Sequence, residues 1–291
     1  MKYLEVIFNL TCQNDVCQIS KDLLMDLAGS AGFESFDDEA RTVHGYVQRD
    51  LFDREALDRE IADFPIPGVK IDYEIKEVED VNWNQTWEAN GFDPIEVDDR
   101  LMIYDAKHMT ADQLSSGHDC LLIGIDAVQA FGSGSHQTTR MMLAALLQLD
   151  LRGKNVLDCG CGTGILSIGA SLLGAEKVVA FDIDEWSVAN ARHNAGLNGI
   201  GNMRILHGDA SVIPADEGPF DIVMANINRN ILLADIPAYL EVMTAGSLLL
   251  VSGFLMEDVT LLTAQAAKWN LEKIGQQSEN EWCQLTFRKM K

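Results

Sequence analysis

Lys154-Asn155-Val156-Leu157-Asp158-Cys159-Gly160-Cys161-Gly162-Thr163-Gly164-Ile165-Leu166-Ser167-Ile168-Gly169-Ala170 reads as a short apolar strand, a glycine-rich turn and the start of a helix. Glycines let a backbone pass close to a ligand, and a helix N-terminus offers unpaired N–H groups at the positive end of its dipole. A dinucleotide fingerprint G-x-G-x-x-G would need glycine at position 165, where Ile165 stands. The spacing is instead Asp158-x-Gly160-x-Gly162-x-Gly164, with a carboxylate two places before the first glycine.

The flanking sequence gives that turn a sheet to sit on. Lys177-Val178-Val179-Ala180-Phe181 is a second strand ending at Asp182, where a carboxylate can accept hydrogen bonds from both hydroxyls of a ribose. Asp184 follows, and its competing role is N-cap of the helix through Val188, Ala189 and Ala191. Met203-Arg204-Ile205-Leu206-His207 leads into Gly208-Asp209-Ala210, with Asp209 either a ligand contact or a turn residue. Phe220 to Ala225 is a fourth strand, ending at Asn226. Four strand ends on one edge is where open α/β folds bind ligands.

Upstream, the pattern changes. A strand around Tyr3, Val6, Phe8 and Leu10 precedes a helix through Ile19, Leu23, Leu24 and Leu27, ended by Gly29 or Gly32. Two extended runs, Phe33–Phe36 and Thr42–Val47, read as a hairpin turning at Asp37-Asp38. Asp53 is a good N-cap for a helix through Leu57, Ile61 and Phe64, stopped by Pro65 and Pro67 before the strand Val69–Ile75. The order βαββαβ predicts a ferredoxin-like domain over residues 1–78. Trp83 and Trp87, four apart on one helix face, predict a linker helix within 79–92, and a parallel α/β domain follows over 93–291.

Composition narrows the function classes. The 291 residues are 47% hydrophobic, enough for two cores, and carry no apolar run of membrane-spanning length or signal-peptide pattern at the start, so a cytoplasmic protein with no membrane partner is expected. The six cysteines, two of them in Cys159-Gly160-Cys161, form neither a disulfide framework nor a zinc pattern; reduced thiols and no metal are expected. The net charge of −23 is uneven: residues 1–100 carry −15 and the remainder −8. Such a surface disfavours direct nucleic-acid readout and would steer in a basic protein, although acidic surface also serves plain solubility.

Asp158-x-Gly160-x-Gly162-x-Gly164 resembles motif I of the class I S-adenosylmethionine-dependent methyltransferases, whose cationic sulfonium cofactor suits a nearby carboxylate. Ala130-Phe131-Gly132-Ser133-Gly134-Ser135-His136-Gln137-Thr138-Thr139 is similar to the A-F-G-T-G-x-H-x-T-T signature of the PrmA family, methyltransferases of large-subunit ribosomal protein eleven. Asp221–Ile227 resembles the same family's fourth-strand motif, and with Phe181–Asp184 the likeness covers most of residues 120–255. The Trp83/Trp87 linker and the N-terminal part extend it over nearly the whole chain.

The resemblance implies a Rossmann-like catalytic domain using S-adenosylmethionine, preceded by a ferredoxin-like domain that recognises the substrate. It places Thr139, Gly160, Asp182 and Asn226 at cofactor-contacting positions, with Gly162 and Gly164 beside them in the turn. Asp209 is implied near the adenine amine, and the loop of Phe131, Gly132 and His136 over the cofactor. The implied reaction is methylation of lysine side chains, with N-terminal amines as a further acceptor class; Asn226 would orient the amine, and His136 is a weaker choice as a base. The simpler reading of the loop is a tight turn capped by Thr138 or Thr139 before the helix through Met141 and Leu146. Departures are Asp126-Ala127-Val128-Gln129 where the family has Pro-Gly, Ser133 for Thr, and Ile227-Asn228-Arg229-Asn230 for Ile-Leu-Ala; they bear on the loop and on acceptor specificity. The competing functions are methylation of another protein or a small molecule, and a non-catalytic cofactor-binding module.

Overall fold

Thr42–Gln48 alternates half-buried and buried residues along its whole length, the period-two pattern of a strand with one face in a core. In the computed structural model it is β3 of an N-terminal unit, Met1–Asn82, with a second unit over Trp83–Lys291. The structure describes residues 3–12, 14–29, 31–39, 42–49, 51–62, 64–77, 91–114, 120–127, 130–214 and 216–291. The expected Trp83/Trp87 helix lies outside the described residues.

The N-terminal unit runs β1 (Tyr3–Thr11), α1 (Asn14–Gly29), β2 (Phe33–Glu39), β3 (Thr42–Gln48), α2 (Arg54–Ala62) and β4 (Lys70–Glu77). Its antiparallel sheet has the order β2-β3-β1-β4, the ferredoxin-like arrangement. One face packs Val6, Phe8, Val43 and Val47 against Leu24 of α1 and Leu57 of α2. Asp53 caps α2 by accepting from the N–H of Ala56 at 2.9 Å. Ile19, expected on the apolar face of α1, is instead 60% exposed.

Two further expectations fail in this unit. Asp37 and Asp38 pair with His44 and Val43, and the ladder continues to Glu39 opposite Thr42, so they are strand residues and not the turn. Cys12 and Cys17 are joined as a disulfide, against the expectation of reduced thiols throughout. The tight passage from the end of β1 into the first turn of α1 brings their Cα atoms to 5.4 Å, a separation that a bridge can span. Cys120, Cys159, Cys161 and Cys283 are free.

The second unit is built on a seven-stranded sheet of order β10-β9-β8-β11-β12-β14-β13. β8 (Asn155–Cys159), β9 (Lys177–Asp182), β10 (Met203–His207), β11 (Phe220–Asn226) and β12 (Met243–Leu255) run parallel. β13 (Leu271–Glu279) and β14 (Trp282–Lys289) close the edge as an antiparallel hairpin against β12. Strands with apolar residues on both faces need helices on both sides. Here α4 (Gln137–Leu147), α5 (Ile165–Leu172) and α6 (Glu185–Leu197) lie between successive strands, as do α7 (Arg229–Glu241) and α8 (Val259–Lys268).

Three apolar clusters result, one holding Ile123, Leu146, Ile168 and Met224, another Leu157, Val223, Leu232 and Phe287, and a smaller one Ala180, Val188 and Ile205. The expectation of a single parallel alternation from residue 93 is too simple. β5 (Ile95–Val97), β6 (Leu101–Asp105) and β7 (Leu121–Ile125) form a separate three-stranded sheet, with β5 antiparallel to β6. The short helix α3 (Ala111–Leu114) lies between β6 and β7. No described helix is long and apolar enough to cross a membrane.

Candidate active site

The glycine turn after β8 hangs on the end of the neighbouring strand. The N–H groups of Gly160 and Cys161 both donate to the carbonyl of Phe181, at 2.9 and 3.0 Å. Asp182, the last residue of β9, accepts from the N–H of Gly162 with Oδ2 at 2.8 Å and from the N–H of Asp184 with Oδ1 at 3.0 Å. A second loop is clamped onto this turn: Thr163 donates its N–H to the carbonyl of Phe131 (2.9 Å) and its hydroxyl to that of Gly132 (2.7 Å).

Together these loops enclose an open cavity of about 390 Å³ at the carboxyl ends of β8, β9 and β11. Its wall includes Phe131, Gly132 and Thr139 from the α4 side, and Gly160 and Gly162 from the turn. Asp182, Asp209 and Asn226 contribute from the other strand ends. Asp158 and Gly164 do not reach the wall. Gly164 is the left-handed N-cap of α5, and Asp158 lies behind the turn, 1% exposed, its Oδ2 accepting from the Ser167 hydroxyl at 2.6 Å. Burial pushes the Asp158 carboxyl up to about 7; the Ser167 hydrogen bond opposes the shift and the charge of Asp182 adds to it.

Two wall side chains each hold an oxygen left unmatched by the described residues. Thr139 Oγ1 and Asn226 Oδ1 are buried and have no hydrogen-bond partner among the described residues. Leaving such an atom unmatched costs about 1–3 kcal/mol, a cost that a bound polar ligand removes. The wall also carries three carboxylates, Asp182, Asp209 and Asp235, so its field favours a cationic ligand. These donors and acceptors fit a ligand with hydroxyls and positive charge. Among the described residues no His, Cys, Asp or Glu group is arranged to hold a metal ion.

The model of the ribosomal protein L11 methyltransferase (PrmA) family matches residues 12–290. The chain belongs to that family. It is 42% identical over 287 residues to the ribosomal protein L11 methyltransferase of Phocaeicola vulgatus and 41% identical over 288 residues to that of Bacteroides fragilis, covering 99% of each chain in both cases. The crystal structure of ribosomal protein L11 methylase from Lactobacillus delbrueckii subsp. bulgaricus superposes with a TM-score of 0.63 at 26% identity, covering 69% of this chain and 100% of that one.

Against the PrmA signature, the loop residues take particular tasks. His136 is the N-cap of α4, so neither Thr138 nor Thr139 caps it. Its Nδ1 lies 2.7 Å from the Thr138 hydroxyl and 3.3 Å from the Thr138 N–H. A nitrogen that accepts from a backbone N–H carries no proton, so the neutral ring holds its proton on Nε2. Burial, helped by Arg140, lowers the His136 pKa and favours that neutral form. The ring is also stacked edge-on between Phe131 (5.5 Å) and Trp282 of β14 (4.8 Å). Local bonding and packing account for the ring's contacts and hydrogen bonds.

Of the residues that depart from PrmA after Asn226, Asn228 lines the cavity as well as capping a helix. Asn228 caps α7 through the N–H of Asn230 at 2.9 Å, and Arg229 pairs with the nearly buried Asp258. Ile227, just before them, is wedged: a Cβ at Gly160 would strike its side chain, and one at Gly253 its carbonyl. Asp184 caps α6 through the N–H of Ser187, as its competing reading held. Asp209 caps the short 3₁₀ turn Ala210–Val212 through the N–H of Ser211 while also facing the cavity. Sequence reasoning missed Ile231, Asp235 and Tyr239, which line the cavity from α7. Their spacing of four, just downstream of Asn226, is one helical face and was the available signal.

Proposed function

We propose that this chain transfers methyl groups from S-adenosylmethionine to amines of ribosomal protein L11, on lysine side chains and N-terminal amines. The observation that carries it is a cavity whose wall includes Thr139 and Asn226, each holding a buried oxygen with no partner among the described residues, in a member of the L11 methyltransferase family. Asp182 would take the ribose, Thr139 and the turn of Gly160, Gly162 and Gly164 the amino-acid end. Asp158, behind the turn, would act through it. Phe131 and Gly132 would cover the ligand, and Asp209 would stand near the adenine.

When bound, the cofactor supplies a methyl group on a sulfonium, already activated for displacement. The acceptor amine must arrive neutral, its lone pair in line with that methyl, although a free lysine is mostly charged at neutral pH. Asn226 Oδ1 would accept an N–H from the amine and so aim the lone pair. The neutral His136 has its acceptor nitrogen occupied, so the ammonium proton leaves to solvent before the amine is enclosed. Apolar wall residues such as Ile227 exclude water as it enters.

The N-terminal unit would bring the substrate. The sheet face turned away from its core is mixed, with exposed Asp37, Asp72 and Glu74 beside Lys70 and Lys76, the last paired with Glu74 at 3.0 Å; it is the net −15 of residues 1–100 that would suit a basic partner in the cytoplasm and not a phosphate backbone. The test is methyl transfer from labelled S-adenosylmethionine to purified L11, located by mass spectrometry. Transfer to L11 amines is expected; cofactor binding without transfer would leave a binding module, and transfer only to other acceptors would replace the substrate.

A further inference from the structure

The segment that carries Asn226 to the cavity is short: β11 ends at Asn226 and α7 begins at Arg229. Within it, Ile227 donates its N–H to the carbonyl of Ser252 at 3.2 Å, and Asn228 caps α7. Arg229 adds a tie to a different element. Its Nη1 donates to Asp258 Oδ1 in the 3₁₀ turn Met256–Asp258 that follows β12, and its Nε donates to Asn230 Oδ1 at 3.1 Å. Asp258 is anchored in turn, its Oδ2 accepting the N–H of Leu255 at 3.2 Å.

Arg229 is a locally unfavourable choice. The first turn of a helix is the positive end of its dipole, where a cation is disfavoured, and no acidic residue stands in that turn of α7. The residue also departs from the Ile-Leu-Ala continuation of the PrmA pattern. What offsets the cost is the Asp258 carboxylate, whose side chain is 11% exposed against 38% for Arg229. A nearly buried, anchored partner fixes the geometry of a pair better than two exposed side chains do. A local rule broken with so specific a compensation marks a residue placed for its partner.

We propose that the Arg229–Asp258 ion pair positions Asn226 for methyl transfer, by tying the start of α7 to the end of β12 and so fixing the segment between β11 and α7. The proposal rests on the orienting role of Asn226 under the proposed function and deepens it. Neither Arg229 nor Asp258 stands on the cavity wall, so both are positioning residues that act through Asn226. A misplacement of about 1 Å at a reacting group can cost about 10²-fold in rate, and loosening one end of its segment costs less than that.

The experiment is steady-state methylation of purified L11 by full-length variants, beside calorimetric titration with S-adenosylhomocysteine. Asp258→Asn keeps an acceptor for the Leu255 N–H and removes the charge, while Arg229→Met removes the guanidinium and keeps much of the stem. Each should lower kcat by about 3- to 10-fold and change affinity for S-adenosylhomocysteine by less than about 2-fold. Arg229→Lys, which can still reach Asp258 with one N–H, should recover most of the rate. The two changes together should lose no more than one alone, because they break the same contact. In an Asn226→Ala background, Asp258→Asn should lower kcat no further, a result that a merely structural role does not produce. Full kcat in both single variants, an undiminished loss in the Asn226→Ala background, or a fall in cofactor affinity as large as the fall in kcat overturns the positioning role. Full activity of Asn226→Ala alone overturns the orienting role of Asn226 on which it rests; no transfer to L11 by the wild type overturns the proposed function itself.

Discussion

Asp182 Oδ2 accepts the backbone N–H of Gly162 at 2.8 Å, so the carboxylate at the end of β9 holds the glycine turn in place as well as facing the cavity. A carboxylate has about four acceptor sites, and the bonds to Gly162 and Asp184 leave lone pairs for two ligand hydroxyls. Asp182→Ala should therefore weaken S-adenosylmethionine binding by about 1–3 kcal/mol and also lower thermal stability, because the Gly162 N–H loses its acceptor. Calorimetry and a melting curve on the same variant check both; unchanged affinity removes the ribose role.

Asn226 behaves oppositely. Its Oδ1 has no partner to lose, so Asn226→Ala should leave the melting temperature of the free protein unchanged or raised. Cofactor affinity should fall little while turnover falls by about 10- to 100-fold through misaligned acceptor amine. Steady-state kinetics beside calorimetry separates the two, and full activity would end the orienting role.

Much of this was legible in the sequence because strand ends are punctuated by chemistry-bearing residues. Asp182, Asp209 and Asn226 each follow an apolar run, and the fold brings all three to one cavity. Asp158 shows the limit. Sequence order put it with the turn, but the pleat of β8 turns its side chain inward onto Ser167. Asp235 and Tyr239 were missed because helical residues reach the site by rotation about the α7 axis, which a list of motifs does not display. The β2–β3 turn was misplaced because Asp-Asp is a good turn pair that sheet pairing overrode.

Asp158 makes stability depend on pH. Its folded-state pKa of about 7 lies above the ordinary carboxylate value of about 4, so the folded protein keeps a proton that the unfolded chain has released. The resulting stabilisation is full below about pH 4 and is lost as pH rises through about 7, at no more than about 1.4 kcal/mol per pH unit. Asp158→Asn, uncharged throughout, should show a flatter fall in melting temperature from about pH 5 to 8 than the wild type. Parallel slopes would show that Asp158 stays ionised.

His136 should prove dispensable as a base. His136→Asn keeps a side chain able to cap α4 but loses the rings' contact with Phe131 and Trp282. Turnover should drop by less than about 10-fold, against the 10²- to 10⁴-fold typical of losing a general base, with an unchanged pH–rate profile. A larger loss accompanied by disappearance of an ionisation would reinstate proton abstraction.

The wedged Ile227 sets an evolutionary constraint on the whole site. Gly160 opens the glycine turn and Gly253 interrupts β12, far apart in sequence, yet each leaves room for a different part of the same residue. A side chain gained at Gly160 would have to be preceded by a smaller residue at 227, whereas at Gly253 the obstacle is backbone and no change at 227 relieves it. Both backbones are left-handed, at φ +72° and +95°, so a smaller residue at 227 relieves the side-chain clash at 160 without relieving the strain, and at 253 it relieves neither. The loop that carries Asn226 is therefore bound to two glycines distant in sequence.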